Sequence, residues 1–476
     1  MTSTPHAPHR TQATPVNAPS EFDVAELFFS TTDEKGIIVS GNDVFVRVSG
    51  WSEDELHGAP HNIIRHPDMP RVVFQLLWQY LDRQHPIAAY VKNMAKDGRF
   101  YWVLATVVPV SHGFLSVRLK PTSNLLPTVE ALYAELLAAE REIEGAGGKP
   151  AQAMAASGAL LHQRLGELGF PTYDDFMRAA LPAELRARQA ALSERRDTIL
   201  TALTTNEMRG NGLASARDAA RALADYRHSQ FRILEQYETL HDVFLRKTDF
   251  ILQLADNVRL FSLNAQIGAA RLADAGAALG VIADIMRLRS DSTARFVREL
   301  SDGFSSIVGE LNELSFGLGV ATLQSEMTAQ FIESLVADRG ASAADEIMRT
   351  RRSVSVRSLV EALREGVGPA LATLTALAQH LSAISGTLDQ LQSEMRHLDA
   401  LQVAGRVESA RLVDAGEFRV LFEDIRQQIG AAREELNGLH MLDTIRGATL
   451  DAIADASIMQ SLERLDLWAA RAARAA

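Results

Sequence analysis

The sequence predicts a small α+β domain near the N-terminus, followed by a mainly α helical-bundle or coiled-coil region. Three observations carry this. β-branched and aromatic clusters separated by turn signals are concentrated between Glu21 and Thr122. After Pro127 the strand signals give way to Ala-, Leu-, Glu- and Arg-rich text that runs to Ala476. Aromatic residues make up only 6% of 476 residues, a composition that leans towards long helices, and the chain is too long for one compact core.

In chain order, residues 1–20 mix Pro, Thr, His and Ala with no apolar period and read as a disordered leader. The α+β domain follows over 21–122. In it Lys96-Asp97-Gly98 separates AAYVKNMA from RFYWVLATVVPV, a hairpin signal because Gly accepts positive φ. A second turn, Ser111-His112-Gly113, leads into FLSVRL. Before the hairpin, RVVFQLLWQYLDR repeats apolar residues at three and four and predicts a helix. A helical linker region is expected over 123–228, broken near Gly145–Pro150, Pro171 and Pro182. A helical hairpin is expected over 229–340, and a second, more degenerate hairpin with C-terminal helices over 341–476, with a further break at Gly366–Pro369.

Two stretches keep heptads. Phe244, Ile251, Val258, Ala265 and Leu272 recur every seven residues, with Leu240, Leu254 and Phe261 beside them. Leu374, Leu377, Leu381, Ile384, Leu388, Leu391, Met395 and Leu398 step by three and four. Such a seam stays on one side only when helices wrap around each other. IGAARLADAG (from Ile267) lines up with VESARLVDAG (from Val407), and Asp284-Ile285 meets Asp424-Ile425 at the same whole-heptad offset. The stretches read either as a duplication or as chance similarity between Ala/Leu/Arg-rich helices.

Composition excludes several classes. There is no cysteine, so disulfides, thiolate metal sites, a cysteine nucleophile and a cysteine–flavin adduct are ruled out. The net charge of −12 makes the whole chain a poor nucleic-acid wrapper. No run approaches the ~20 apolar residues of a membrane span and no signal-type segment opens the chain, so a cytoplasmic protein is expected.

The densest chemistry lies in HNIIRHPDMP (from His61 to Pro70): a forked cation in Arg65, an imidazole in His66 and an acceptor in Asp68, between two prolines. The residues alone leave a structural Arg–Asp pair equally open, and one His with one Asp makes a poor metal site. STTDEKGIIVSGNDVFVRVSGWSEDELHGAPHNIIRHPDMP and VKNMAKDGRFYWVLATVVPV resemble the PAS domain of bacterial aerotaxis receptors over roughly 28–122. That resemblance implies a PAS fold holding a non-covalent FAD. It assigns cofactor contacts to Arg65, His66, Asp68, Trp78, Asn42 and Asn93. Trp78 reads equally as core, and Asn42 as the cap of a helix starting at Asp43. Haem is the rival cofactor, with His61, His66 and His85 as axial candidates, and an empty PAS domain serving as a scaffold for a protein partner is the third reading.

VRLFSLNAQIGAARLADAGAALGVIADIMRLRSDS (from Val258 to Ser292) is similar to the hairpin tip of methyl-accepting chemotaxis proteins. The resemblance implies partner-binding roles for Asn264, Ile267, Arg271 and Asp284, with a chemotaxis histidine kinase, its coupling protein or a second copy of the chain as partners. Gly268 and Ile285 stand where that family has Glu, which removes charge pairing at the tip and counts against the kinase and coupling protein. Receptors of that type build a four-helix bundle from two hairpins, one per subunit. Two hairpins in one chain can pack as a pseudo-dimer. The expected function is a non-enzymatic redox or oxygen sensor, in which a flavin-binding domain controls a helical output region.

Overall fold

A computed structural model describes residues 13–199, 252–271, 276–337, 343–411, 416–437, 441–454 and 457–475. By compactness the chain divides into two units, one of Met1–His228, Ser315–Pro369 and Ala456–Ala476, the other of Ser229–Leu314 and Ala370–Asp455. This division cuts across the linear segments expected from sequence.

The first unit is built on a five-stranded antiparallel sheet in the order β2-β1-β5-β4-β3. Its strands are β1 (Phe28–Thr32), β2 (Ile38–Gly41), β3 (Ile87–Met94), β4 (Phe100–Val110) and β5 (Gly113–Leu119). Both expected turns are present. Gly98 at φ 90° and Gly113 at φ 134° adopt conformations closed to most residues. Between β2 and β3 lie α1 (Asp43–Ser49), α2 (Glu53–Leu56), a 3₁₀ turn (His61–Ile64) and α3 (Arg71–Asp82), which cover one sheet face.

Part of the segment expected as a disordered leader over 1–20 is paired with the sheet domain. Val16 N donates to Gly98 O at 2.9 Å, Ser20 N to Phe100 O at 2.7 Å, and Phe100 N to Ala18 O at 3.0 Å. A low-complexity composition does not prevent an extended segment from adding to an open backbone edge. Residues 1–12 lie outside the described residues.

The opposite sheet face carries α4 (Leu125–Gly145) and α6 (Tyr173–Ile199), while α5 (Pro150–Glu167) packs against α4 and α3. Tyr133 of α4 donates from its hydroxyl to Tyr90 O at 3.0 Å and lies beside the half-buried Trp102 ring. Here too sequence and structure differ. Pro182 lies inside α6, and Pro369 inside α9 (Ala343–Arg411), so neither ends its helix. A missing N–H costs a helix one bond, and packing on neighbours can outweigh that.

In the second unit, 252–271 forms α7, which pairs with the first part of α8 (Ala277–Ala337). Gln266 Nε2 donates to Asp284 Oδ1 at 3.0 Å across this hairpin. The α9 segment from Ala370 pairs with α10 (Gly416–Asn437), where Arg433 meets Asp399 at 3.2 Å. The two hairpins touch each other within the chain. Asn257 bonds Gln428 at 3.1 Å, Arg289 bonds Glu394 at 3.1 Å, and His380 bonds Glu310 at 3.0 Å. Every seam residue from Leu374 to Leu398 is buried, as are Leu254, Val258 and Ala265. Leu240, Phe244, Ile251 and Leu272 lie outside the described residues. Two further helices, α11 (Met441–Ala454) and α12 (Ser457–Ala475), end the described chain.

One helix among the described residues, Thr350–Arg411, contains an 18-residue window apolar enough to cross a membrane by length and composition.

Candidate functional site

The inner face of the sheet, with the 3₁₀ turn and α3, borders a partly open cavity of about 260 Å³. That is just under the size range of small-molecule pockets. Strand alternation builds its floor. Val91 and Asn93 come from β3, Ala105 and Val107 from β4, and Phe114, Ser116 and Arg118 from β5, each two apart on one face. Phe74, Leu77, Trp78 and Leu81, along one stripe of α3, make the opposite wall. Trp78 is 38% exposed, stands edge-on to Phe114 with ring centroids 5.7 Å apart, and lies against Gly36.

The polar end is unusual. Arg118 is 4% exposed, and among the described residues it has no carboxylate partner. One terminal nitrogen donates to Ser30 Oγ and to His61 Nε2, both at 2.6 Å. The other, Nη1, has no hydrogen-bond partner, and neither does the buried Ser116 hydroxyl on the same wall. Burial pushes Arg118 down to about 10, which leaves it a cation at neutral pH. Burial, and then the charge of Arg118, pushes His61 down to about 3. His61 is therefore a neutral ring whose Nε2 accepts from Arg118. Arg65 and Lys35 also line the cavity, and no carboxylate does. Burial beside Arg71 lowers Arg65 as well, and its guanidinium lies 4.1 Å from the Phe74 ring centroid. A partly open space lined by cations and unused donors, with no carboxylate in its lining, suits an electron-rich or anionic group.

Of the six residues expected at a cofactor, Arg65, Trp78 and Asn93 line this cavity, and Asn42, His66 and Asp68 do not. Asn42 is the N-cap of α1. Its Oδ1 accepts from Phe45 N at 3.1 Å and Phe29 N at 3.0 Å, and its Nδ2 donates to Leu27 O at 2.8 Å. Asn42 thus serves as the cap of α1. His66 is buried, with Nδ1 accepting from Asp68 N at 3.1 Å, and burial beside Lys92 lowers its pKa. Asp68 is ion-paired to Lys92 of β3 at 3.2 Å and to Arg141 of α4 at 3.3 Å. His66 and Asp68 therefore fasten the loop that carries Arg65.

Arg118, Ser116 and Ser30 went unread in the sequence, although a signal was there. In FLSVRL the positions alternate so that Phe114, Ser116 and Arg118 share one face, and a charge there among apolar neighbours is the signal.

The cavity fits a flavin ring better than haem. Two buried polar atoms on its wall want partners that ring carbonyls and nitrogens can supply. The histidine on the wall, His61, has its Nε2 committed to Arg118, and His66 and His85 are not in the lining.

The four residues expected at the hairpin tip, Asn264, Ile267, Arg271 and Asp284, are all exposed. Around them Leu260, Leu263 and Ile267 of α7 and Val281, Ile285 and Leu288 of α8 are also exposed. Gly268 is held by packing. A Cβ there would come within 2.8 Å of the Phe418 ring. Residues 272–275, part of the quoted tip motif, lie outside the described residues.

Residues 38–115 match the family model of the PAS fold. The N-terminal domain is a PAS domain. It is 43% identical over 112 residues to the aerotaxis receptor of Escherichia coli, a match covering 22% of this chain and 22% of that receptor. It is also 30% identical over 86 residues to the nitrogen fixation regulatory protein of Klebsiella pneumoniae, covering 18% of this chain and 17% of that protein. A third similar protein is the bacterioopsin transcriptional activator of Halobacterium salinarum, 27% identical over 79 residues, covering 17% of this chain and 12% of that protein. The chain thus spans about a fifth or less of the length of these curated relatives, and they are sensory or regulatory proteins.

Proposed function

We propose that the PAS domain binds a flavin, as FAD, without a covalent bond, and that the chain is a redox- or oxygen-responsive signal transduction protein. The observation that carries this reading is the buried Arg118, which has an unused Nη1 on the same cavity wall as an unused Ser116 hydroxyl. Bound there, the flavin would supply a ring that gains electrons and a proton reversibly. Arg118 and Ser116 would hold its carbonyl edge, and Asn93, whose amide both donates and accepts, would answer a change of protonation on the ring. Trp78 and Phe114 would exclude water from its faces, and Arg65 would meet the phosphates of the tail. Nothing in this reading requires catalysis or a membrane, and we place the protein in the cytoplasm.

For output we read the exposed faces around Asn264, Ile267, Arg271 and Asp284 as the surface for a protein partner. There the exposed apolar Ile285 stands in place of a charge, and with the exposed Val281 it would supply affinity by apolar contact.

The test is an absorbance spectrum of the purified full chain with and without dithionite. Wild type is expected to be yellow and to bleach. Arg118→Met and Asn93→Ala are expected to lose most of the bound flavin, and His85→Ala to keep it. A wild type that stays colourless after reconstitution with FAD, or that carries a haem band, overturns the reading.

A further inference from the structure

The helix α6 carries two buried charges one turn apart, and each is spent on a different part of the first unit. Glu184 is fully buried and accepts four hydrogen bonds. Two come from the backbone of Thr122 and Ser123, at 2.6 and 2.8 Å, where the chain turns from β5 into α4. The other two come from the Ser123 hydroxyl and the Tyr90 hydroxyl, both at 2.7 Å. Arg188, 4% exposed, donates to Val24 O at 2.8 Å and Ala25 O at 3.0 Å, just ahead of β1, and forks onto Glu326 of α8 at 2.7 and 2.8 Å. Between these anchors α6 lies tight on α8. A Cβ on Gly319 would come within 2.9 Å of the Leu181 side chain and 3.1 Å of Leu185.

Tyr90 is the informative end. It sits on β3 between Ala89 and Val91, and its hydroxyl leaves the sheet on the face opposite Val91 and Asn93, which line the cavity. A change that moves β3 on the cavity side therefore moves Tyr90 on the α6 side.

We propose that α6 is a lever connecting the cavity to α8, gripping β3 through Tyr90–Glu184 and α8 through Arg188–Glu326. Buried charges suit this task. A fully satisfied carboxylate or guanidinium tolerates little change in its partners, so a shift at one anchor is passed to the other rather than absorbed. The proposal rests on the flavin reading for the nature of the signal, not for the path.

A double-mutant cycle on the full, ligand-free chain tests the path. Glu184 itself is avoided, since removing a carboxylate with four donors endangers folding. Tyr90→Phe and Glu326→Gln each remove part of one anchor, and hydrogen exchange is followed in peptides of residues 315–337. Tyr90 and Glu326 share no hydrogen-bond partner, and sites so placed normally act additively. The lever predicts that each single change speeds exchange there about fivefold, the worth of one net hydrogen bond, and that the double variant adds little more. Additive effects, or a Tyr90→Phe chain with unchanged exchange in 315–337, overturn it. A signal reaching Phe331 of α8 from Phe29 of β1, which touch directly, would survive Glu326→Gln and so count against the lever.

A second arm uses flavin-loaded protein. Dithionite is expected to change exchange in 315–337 in wild type and not in Tyr90→Phe at equal flavin content. If Tyr90→Phe keeps the response, the lever fails while the flavin reading stands. If wild type takes up no flavin, that reading fails and the ligand-free cycle still decides the lever.

Discussion

A guanidinium buried without a counter-ion is costly, and Arg118 is tolerated because its partners are neutral acceptors held in place. His61 is one of them, and its neutrality has a consequence for pH. Its folded value of about 3 lies below the ordinary 6.5, so the unfolded chain takes up a proton in that window and the folded chain does not. Stability from this residue is present above pH 6.5 and is lost as the pH falls from there towards 3. Between pH 6.5 and 4.5 wild type should lose about 2–3 kcal/mol more than His61→Gln, at ~1.4 kcal/mol per unit, because glutamine accepts the Arg118 bond without titrating. Urea unfolding of both proteins across that range checks it, and parallel curves would mean that His61 is protonated in the fold. Arg65, Trp78 and Asn93 were legible at this scale because a family motif carries them. Arg118 was not, because FLSVRL was read for being a strand and not for which of its residues face inward.

The elements of the first unit are joined largely by buried polar caps, and these were only partly legible. Asn42 before Asp43 is a cap signal that sequence shows, and the cap is present. Glu140 is different. It is buried on α4 and accepts from Arg71 N at 2.8 Å and Val72 N at 3.1 Å, which satisfies the start of α3 from another helix. No local pattern reveals a cap supplied 69 residues away in the chain. The same holds for Pro182 and Pro369, where a sound local rule for ending helices yields to tertiary packing. The two readings of Asn42 part in a measurement. Asn42→Ala should destabilise the chain by about 1 kcal/mol for the lost cap and by up to ~2–3 kcal/mol with the bonds to Phe29 and Leu27. Flavin content per folded chain should be unchanged. A variant as stable as wild type but short of flavin would return Asn42 to the cofactor.

In the second unit the heptads announced that helices would pair, but periodicity alone does not say whether the partner lies in the same chain. The structure supplies the partner from within. The seam from Leu374 to Leu398 is buried, Arg289 reaches Glu394, and Gly405 and Gly268 leave room for the rings of Phe422 and Phe418 of α10. The Gly268–Phe418 contact joins the two hairpins, whereas Gly405 and Phe422 both belong to the second. Phe418 has Ala278 as its counterpart in the first hairpin and Gly268 has Glu408 as its counterpart in the second, so two copies of either hairpin alone would not reproduce that contact. Unlike surfaces that fit each other favour pairing within one chain, where the effective concentration is high. Because the chain has no cysteine, the preference is easily read. Asn257 and Gln428, bonded at 3.1 Å, are replaced by cysteines in one chain and treated with a short bis-maleimide. The cross-link should form at monomer mass and at the same yield on tenfold dilution. A mixture of the two single-cysteine chains should give almost no dimer. A cross-linked dimer from that mixture, falling away on dilution, would mean that the bundle is shared between chains, and the internal repeat would then have duplicated an interface instead of enclosing one.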